Sequence, residues 1–539
     1  MSPLSAFPVP SYTEISMSYA AAIHQLSAMT PELFTQPGHT RRKFSLDEIG
    51  VLLAALANPH HRFPSVLVAG TNGKGSTAAT LASILTASGL RTGLYTSPHL
   101  TRPNERIRLN GVEVTDDDFA ALYFRVNDCA QQLVINEELA QLPSFFETLT
   151  AMAFLHFAEA SIDIAVLEVG MGGRLDATNI VDPILSIVTD ISLDHTEWLG
   201  PTIAAIAREK AGILRPNGNL ITLPQHPEAN RVLGEIATEL GVHVISAVPY
   251  MPQTAPNSRH SGNPNAASSV TAGLVTGHDF SRAENGSIDA GALASAGVSY
   301  FVEALGTAIE VASPLHGAHQ QRNVALAIAA AIELAFHHGV PITPESLAAG
   351  IRDTRWPARL EVIEFHSSKE LASPRVVFDV AHNPAGAWAL RAALRPLLDL
   401  DAPNAKSATL IFGCLRDKPL AEMAQILFPI FDRVIFAPIH SPRATPMADL
   451  LAAAESTGTP ATAATSLEEA LSLAESGRPP ATQICSGTGR DFSRAESAKN
   501  ENRTLAPEGV ATTTVVICGS VYLVGEARAL LLARAGVPA

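Results

Sequence analysis

The chain has 539 residues, 47% of them hydrophobic and 17% charged, which allows roughly two to four domains and excludes a disordered composition. Lys and Arg total 37 against 52 Asp and Glu, a net charge of −15. That balance excludes a broad nucleic-acid surface, so an anionic ligand has to be met by a local basic site. Cys129, Cys414, Cys485 and Cys518 stand far apart with no CxxC pair, against a disulfide framework or a zinc site and in favour of a reducing compartment. The start "MSPLSAFPVPSY" has no basic stretch followed by an apolar one, and the apolar run "VALAIAAAIELAF" at 324–336 is interrupted by Glu333. Neither a secretory signal nor a membrane span is expected, and the chain reads as cytoplasmic.

In chain order, "SVLVAG" (65–70) reads as a buried strand and "STAATLASILTASG" (76–89) as a helix, with Leu81, Ile84 and Leu85 on one face and Gly89 as its stop. "IDIAVLEVG" (162–170) and "PILSIVTDIS" (183–192) are further strands, and "TIAAIAREKAGIL" (202–214) is a helix. A second strand cluster follows: "RVVFDVA" (375–381), "TLIFG" (409–413), "RVIFAP" (433–438) and "TTVVICGS" (513–520). Strands alternating with helices predict an α/β fold with mainly parallel sheets. Two clusters predict two domains with a boundary near "RDTRWPARLE" (352–361), hence 1–355 and 356–539. Residues 252–297 and 486–510 are rich in Ser, Asn, Gly, Ala and Thr and share the letters "DFSRAE" at 279–284 and 491–496. They read as related surface insertions rather than a docking motif.

"VAGTNGKGST" (68–77) is a variant phosphate loop. Gly70 stands only three residues before Gly73, and Gly75 separates Lys74 from Ser76, whereas the usual loop is longer and places Ser or Thr directly after the lysine. A Gly-rich turn from strand to helix still offers backbone N–H groups and a helix N-terminus to phosphate. Lys74 supplies a point charge, and the Ser76 hydroxyl is suited to Mg²⁺. Glu168 ends an apolar strand and His195 follows the next one, so Ser76, Glu168 and His195 form a candidate set around one or two Mg²⁺ ions, with imidazole the less usual ligand. Lys210 falls with Ile203, Ile206 and Ile213 on the apolar face of its helix. It is either a snorkelling side chain or an amine whose pKa falls in a poorly solvated place. "VVFDVAHNP" (376–384) puts Asp379 and His382 at a strand end, and Arg359 lies at the domain boundary.

In order, "GTNGKGS" (70–76), "YTSPHL" (95–100), "ERIRLNG" (105–111), "FFETLTAMAF" (145–154) and "LEVGMGGRLDATN" (167–179) form the first part of a motif set. "LDHTEWLGPTIAAIAREKAGI" (193–213), "HGAHQQRN" (316–323), "WPARLE" (356–361), "DVAHNP" (379–384) and "GSVYLVGE" (519–526) complete it. With this set the sequence resembles the folylpolyglutamate synthase family, including its bifunctional dihydrofolate synthase form, within the Mur ligase-like amide ligases. The resemblance runs from about residue 19 to 535 apart from the two inserts. It implies an N-terminal P-loop ATPase domain and a smaller Rossmann-like C-terminal domain that ligates glutamate. It implies ATP bound by Thr71, Asn72, Gly73, Lys74, Gly75, Ser76, Asn323, Arg359 and Asp379, and Mg²⁺ held by Ser76, Glu168 and His195. It also implies a carbamate formed from CO₂ on Lys210, pterin-side contacts from Thr96, Ser97, Pro98, His99 and Arg106, and a place for His382 at the glutamate end.

The implied chemistry is direct. ATP converts the carboxylate of dihydropteroate or of a glutamylated folate into an acyl phosphate, and the amine of L-glutamate displaces phosphate. Mg²⁺, Lys74 and loop N–H groups offset the phosphoryl charge, and domain closure excludes water. The partners are small molecules, with no nucleic acid or membrane, and family members are usually monomers. The rivals are a Mur-type ligase acting on a cell-wall nucleotide precursor, which "YTSPHL…ERIRLNG" disfavours, and an ATPase switch, which would ignore glutamate.

Overall fold

The computed structural model describes residues 17–29, 45–252, 298–364, 375–400, 407–476 and 514–536. Both "DFSRAE" segments and Cys485 lie outside the described residues, as do the two expected inserts apart from Pro252. The chain divides into two compact units, the first ending at Trp356 and the second continuing from Pro357, with 315–318 belonging to the second. Among the described residues no helix is long and apolar enough to cross a membrane.

The first unit is built on an eight-stranded sheet. Its strands are β1 (Ser65–Ala69), β2 (Thr92–Tyr95), β3 (Ile107–Leu109), β4 (Val112–Glu113), β5 (Ile164–Glu168), β6 (Leu185–Val188), β7 (Asn219–Thr222) and β8 (His243–Ser246). The order is β4-β3-β2-β5-β1-β6-β7-β8, parallel except for β3 and β4 at one edge. A separate antiparallel hairpin joins β9 (Val298–Ala304) to β10 (Thr307–Ser313).

The central strand β1 is buried throughout, as a strand of a parallel sheet covered on both faces must be. Its side chains alternate between two cores. Leu67 and Ala69 pack with the helices Phe145–Glu159 and Ile203–Ala211. Val66 and Val68 pack with Lys74–Ala87 and Ala318–His337 on the other face. From β1 the chain crosses β5 to reach β2, and from β5 it crosses back over β1 to reach β6. Connections therefore part in opposite directions around the carboxyl ends of β1 and β5, which is where open α/β sheets bind ligands.

The second unit has a six-stranded sheet of β11 (Glu361–Glu364), β12 (Arg375–Phe378), β13 (Ala408–Phe412), β14 (Arg433–Phe436), β15 (Ala461–Ala463) and β16 (Thr514–Cys518). Its order is β11-β12-β16-β13-β14-β15, with β11 antiparallel and the rest parallel. The fold is α/β in both units, as the alternating pattern predicts.

Most element ends fall short of, or shift by a few residues from, the sequence reading, and two of these differences shape the phosphate loop. The helix after the phosphate loop starts at Lys74, two residues earlier than the apolar pattern suggested, because a left-handed Gly73 turns the chain directly into it. The strand expected to run to Ser192 stops at Val188. Beyond it the Asp190 carbonyl accepts the N–H groups of Thr71 and Asn72, at 2.8 and 3.2 Å, so the segment 189–192 serves the loop instead of the sheet.

Candidate active site

The phosphate loop joins β1 to the helix Lys74–Ala87. Gly73 has φ +87°, and a Cβ there would lie 2.1 Å from Asn323 Oδ1. Only glycine meets both conditions. The buried Asn323 is thereby placed against the loop, held by its own bond from Nδ2 to Gln320 Oε1 at 2.8 Å. Thr71 and Asn72 fasten the opposite side. Thr71 Oγ1 donates to Ser192 O and Asn72 Nδ2 to Ser192 Oγ, at 3.1 and 3.2 Å, and Thr189 Oγ1 donates to Asn72 O at 2.7 Å. The first helical bond runs from Thr77 N to Gly73 O. The N–H groups of Lys74, Gly75 and Ser76 precede it and face the mouth of the loop as anion donors.

Two lysines meet at one carbonyl. Lys74 Nζ donates to Gly70 O and Thr71 O at 3.1 and 3.3 Å, and the buried Lys210 Nζ donates to the same Gly70 O at 2.6 Å. Burial first, and then the charge of Lys74, lower the Lys210 pKa to about 7, while Asp194 and Asp176 oppose the shift. The amine is therefore divided between free base and ammonium at neutral pH. Its helix is clamped from the "GMGGRLDATN" loop. Arg174 N donates to Glu209 O at 2.8 Å, and Arg174 pairs with the Glu209 carboxylate at 3.0 Å. Asp176 shapes that loop by accepting from Met171 N, Thr178 N and Thr178 Oγ1, while burial raises its own pKa.

Glu168 ends β5 in register with Val68 of β1, and its buried carboxylate accepts from Ser97 N at 3.2 Å. A candidate metal ligand and the expected pterin-side loop thus meet. Within that loop Thr96 N donates to Arg106 O at 3.0 Å, the Ser97–Pro98 bond is cis, and Arg106 Nε donates to His99 Nδ1 at 2.9 Å. Burial and then the Arg106 charge lower the His99 pKa to about 3. The imidazole is neutral, with its proton on Nε2. His195 has a left-handed backbone, φ 48°, at the start of the short helix Thr196–Leu199. Its Nε2 lies 3.9 Å from Asp194 Oδ2. Among the described residues no three His, Cys, Asp or Glu side chains form a metal cluster; the expected set takes only Glu168 and His195 from those types, with Ser76 as the third member.

The second unit gathers Arg359, Asp379 and His382 around the end of β12. Asp379 accepts from Leu360 N at 2.9 Å and from Ala381 N at 2.8 Å, tying the "WPARLE" turn to the strand end. Ala358 and Leu360 are left-handed and flank Arg359, whose Nη1 donates to Ala358 O at 3.3 Å. His382 Nδ1 lies 2.8 Å from Val380 O. A carbonyl only accepts, so Nδ1 carries the proton and Nε2 is the basic nitrogen.

The sequence reading missed Thr189, Asp190 and Ser192, which hold the loop, and Trp356, which packs on it. The signal for the first three was the polar residues Thr189, Asp190 and Ser192 after an apolar strand, and for Trp356 only its place at the head of the "WPARLE" motif.

The chain matches the Mur ligase middle domain over residues 68–246 and the Mur ligase glutamate ligase domain over 358–489. It is 33% identical to the dihydrofolate synthase/folylpolyglutamate synthase of Bacillus subtilis over 77% of this chain and 87% of that one. With the Mycobacterium tuberculosis enzyme of the same name it shares 32% over 97% and 95%. The structure of M. tuberculosis folylpolyglutamate synthase with ADP and AMPPCP superposes with a TM-score of 0.71 at 29% identity, covering 95% of this chain and 98% of that one. Escherichia coli FolC with DHPP and ADP gives 0.68 at 26%, covering 96% and 98%. Fold, motif order and these likenesses agree: the chain belongs to the folylpolyglutamate synthase/dihydrofolate synthase family of Mur ligases.

Proposed function

We propose that this protein joins L-glutamate to the carboxylate of dihydropteroate, to the γ-carboxylate of a folate, or to both, through an ATP-derived acyl phosphate. The observation that carries the reading is the Lys210 amine, buried beside the phosphate loop with a pKa near neutrality. A free amine in such a place adds to CO₂: the Nζ lone pair attacks carbon, a proton leaves, and the neutral amine becomes a carbamate anion. The loop supplies the cationic pocket, with Lys74 exchanging the Gly70 and Thr71 carbonyls for phosphate oxygens.

The residues fit Mg²⁺. Ser76 Oγ is buried without a hydrogen-bond partner among the described residues, and Glu168 brings a carboxylate to the neighbouring strand end, the hard oxygen donors this ion prefers. Ser76, Glu168 and His195 would hold it, the Lys210 carbamate serving a second ion, and the metal would neutralise charge on the transferring phosphoryl group. Asn323, Arg359 and Asp379 contact the nucleotide, together with the Thr71–Ser76 loop. Thr96, Ser97, Pro98, His99 and Arg106 form the pterin side, where the neutral His99 donates from Nε2. His382 Nε2 accepts a proton from the incoming glutamate amine. Residues 1–355 are the ATP-binding domain and 356–539 the glutamate ligase domain, in a cytoplasmic monomer.

The test is phosphate release with ATP, Mg²⁺ and L-glutamate, supplying dihydropteroate or tetrahydrofolate in parallel. Turnover with either supports the reading and assigns the step. Turnover with neither, alongside turnover of a cell-wall nucleotide precursor, overturns it.

A further inference from the structure

Five buried side-chain polar atoms have no hydrogen-bond partner among the described residues: His60 Nδ1, Ser76 Oγ, Thr77 Oγ1, Arg102 Nε and Trp356 Nε1. Three of the five gather in one place. Ser76 and Thr77 occupy the first turn of the phosphate-loop helix, and the indole of Trp356 is pressed against the residue before them. A Cβ on Gly75 would lie 2.8 Å from Trp356 Cζ2 and 3.1 Å from both Cε2 and Nε1. The N–H edge of the ring thus faces the loop. Buried donors go without partners in folded proteins chiefly where a ligand or water completes them, and here one such donor lies against the helix turn that carries two unpartnered hydroxyls.

The ring is held from its other side. The Arg108 guanidinium lies over it, 5.4 Å from the ring centroid. Arg108 is itself fixed by bonds from Nε to Glu105 O at 3.1 Å and from Nη2 to Glu113 Oε1 at 3.3 Å. A ring stacked under a fixed guanidinium keeps its orientation, so its N–H is set for an anion before one arrives.

We propose that Trp356 is a nucleotide-binding residue: its indole N–H donates to a phosphate oxygen of the nucleotide on the Thr71–Ser76 loop, with Arg108 as the positioning residue. This rests on the ATP-binding reading above and adds to it a donor without charge.

The experiment compares wild type with W356F, which removes the N–H and keeps an aromatic ring, by calorimetric titration with ATP, ADP and adenosine. The expected result is ATP and ADP affinity about 10-fold weaker, as for a lost hydrogen bond to a charged group, with adenosine affinity and melting temperature unchanged. ATP affinity within twofold of wild type in folded W356F overturns the assignment. Wild type that fails to bind ATP overturns the ATP-ligase reading itself, a separate outcome. If W356F does not fold, W198F/W388F leaves Trp356 as the one tryptophan of a chain that has three. A shift of its emission on ATP addition supports the contact, and an unchanged spectrum overturns it.

Discussion

Replacing Lys210 by Met tests the buried amine through stability instead of turnover. The Lys210 pKa falls from 10.5 to about 7, a difference of 3.5 units, which at about 1.4 kcal/mol per unit is a penalty of about 5 kcal/mol on the charged form. Below pH 7 both folded and unfolded chains hold the proton, and the folded state bears the whole penalty. Between about 7 and 10.5 the unfolded chain binds more protons, so stability rises with pH, and above 10.5 the penalty is gone. Met removes the titration and the bond to Gly70 O, the latter at a cost of about 1 kcal/mol. K210M is therefore expected to be more stable than wild type at pH 6 by about 4 kcal/mol as an upper bound, a melting-temperature gain on the order of 10 °C. At pH 10 the gain is absent or reversed. The assay is thermal unfolding by circular dichroism at pH 6, 8 and 10 in metal-free, CO₂-free buffer. A variant less stable than wild type at pH 6, or a difference that does not narrow with pH, refutes the argument.

Three further outcomes are expected. E168Q keeps an acceptor for Ser97 N–H but loses the charge, and S76A loses the unpartnered hydroxyl; each is expected to lower phosphate release by about 100-fold or more, with a raised Mg²⁺ requirement in a metal titration. G73A forces a Cβ to within 2.1 Å of Asn323 Oδ1 at φ +87°, which is expected to cost the first unit about 1–3 kcal/mol, read by urea denaturation; a melt identical to wild type would show that the loop is more pliant than its packing indicates. D379N turns an –NH₂ toward one of the two N–H groups that Asp379 now accepts, at a cost of about 1–3 kcal/mol, seen as earlier unfolding of the second unit by hydrogen exchange.

The parts of the fold legible in the sequence were those set by local pattern. β1, β5, β13 and β16 are buried along their whole length, so each appears as a largely apolar run. The phosphate loop was legible because its glycines are required by a local turn. Lys210 stood out through its place on an apolar face, and the structure resolves that choice in favour of a fully desolvated amine. The short strands β7 and β8 were not legible; β8 is only four residues long and exposed at three of them. The loop's fastenings were hidden for another reason. Thr71 and Ser192 are separated by 121 positions, and no periodicity within either segment records that they meet. Trp356 against Gly75 is the same case, a contact made by folding and written in neither stretch alone.

The alternation of β1 between two cores has a consequence for how the first unit opens. A strand whose odd residues belong to one core and whose even residues belong to the other cannot detach with either alone. Its amides are also bonded to β5 on one side and β6 on the other. Exchange with deuterated solvent at residues 65–69 then requires both cores to come apart together, and these positions report the global free energy of the unit. Fraying of the peripheral β3–β4 edge does not reach them. The phosphate loop hangs from the last part of the unit to let go.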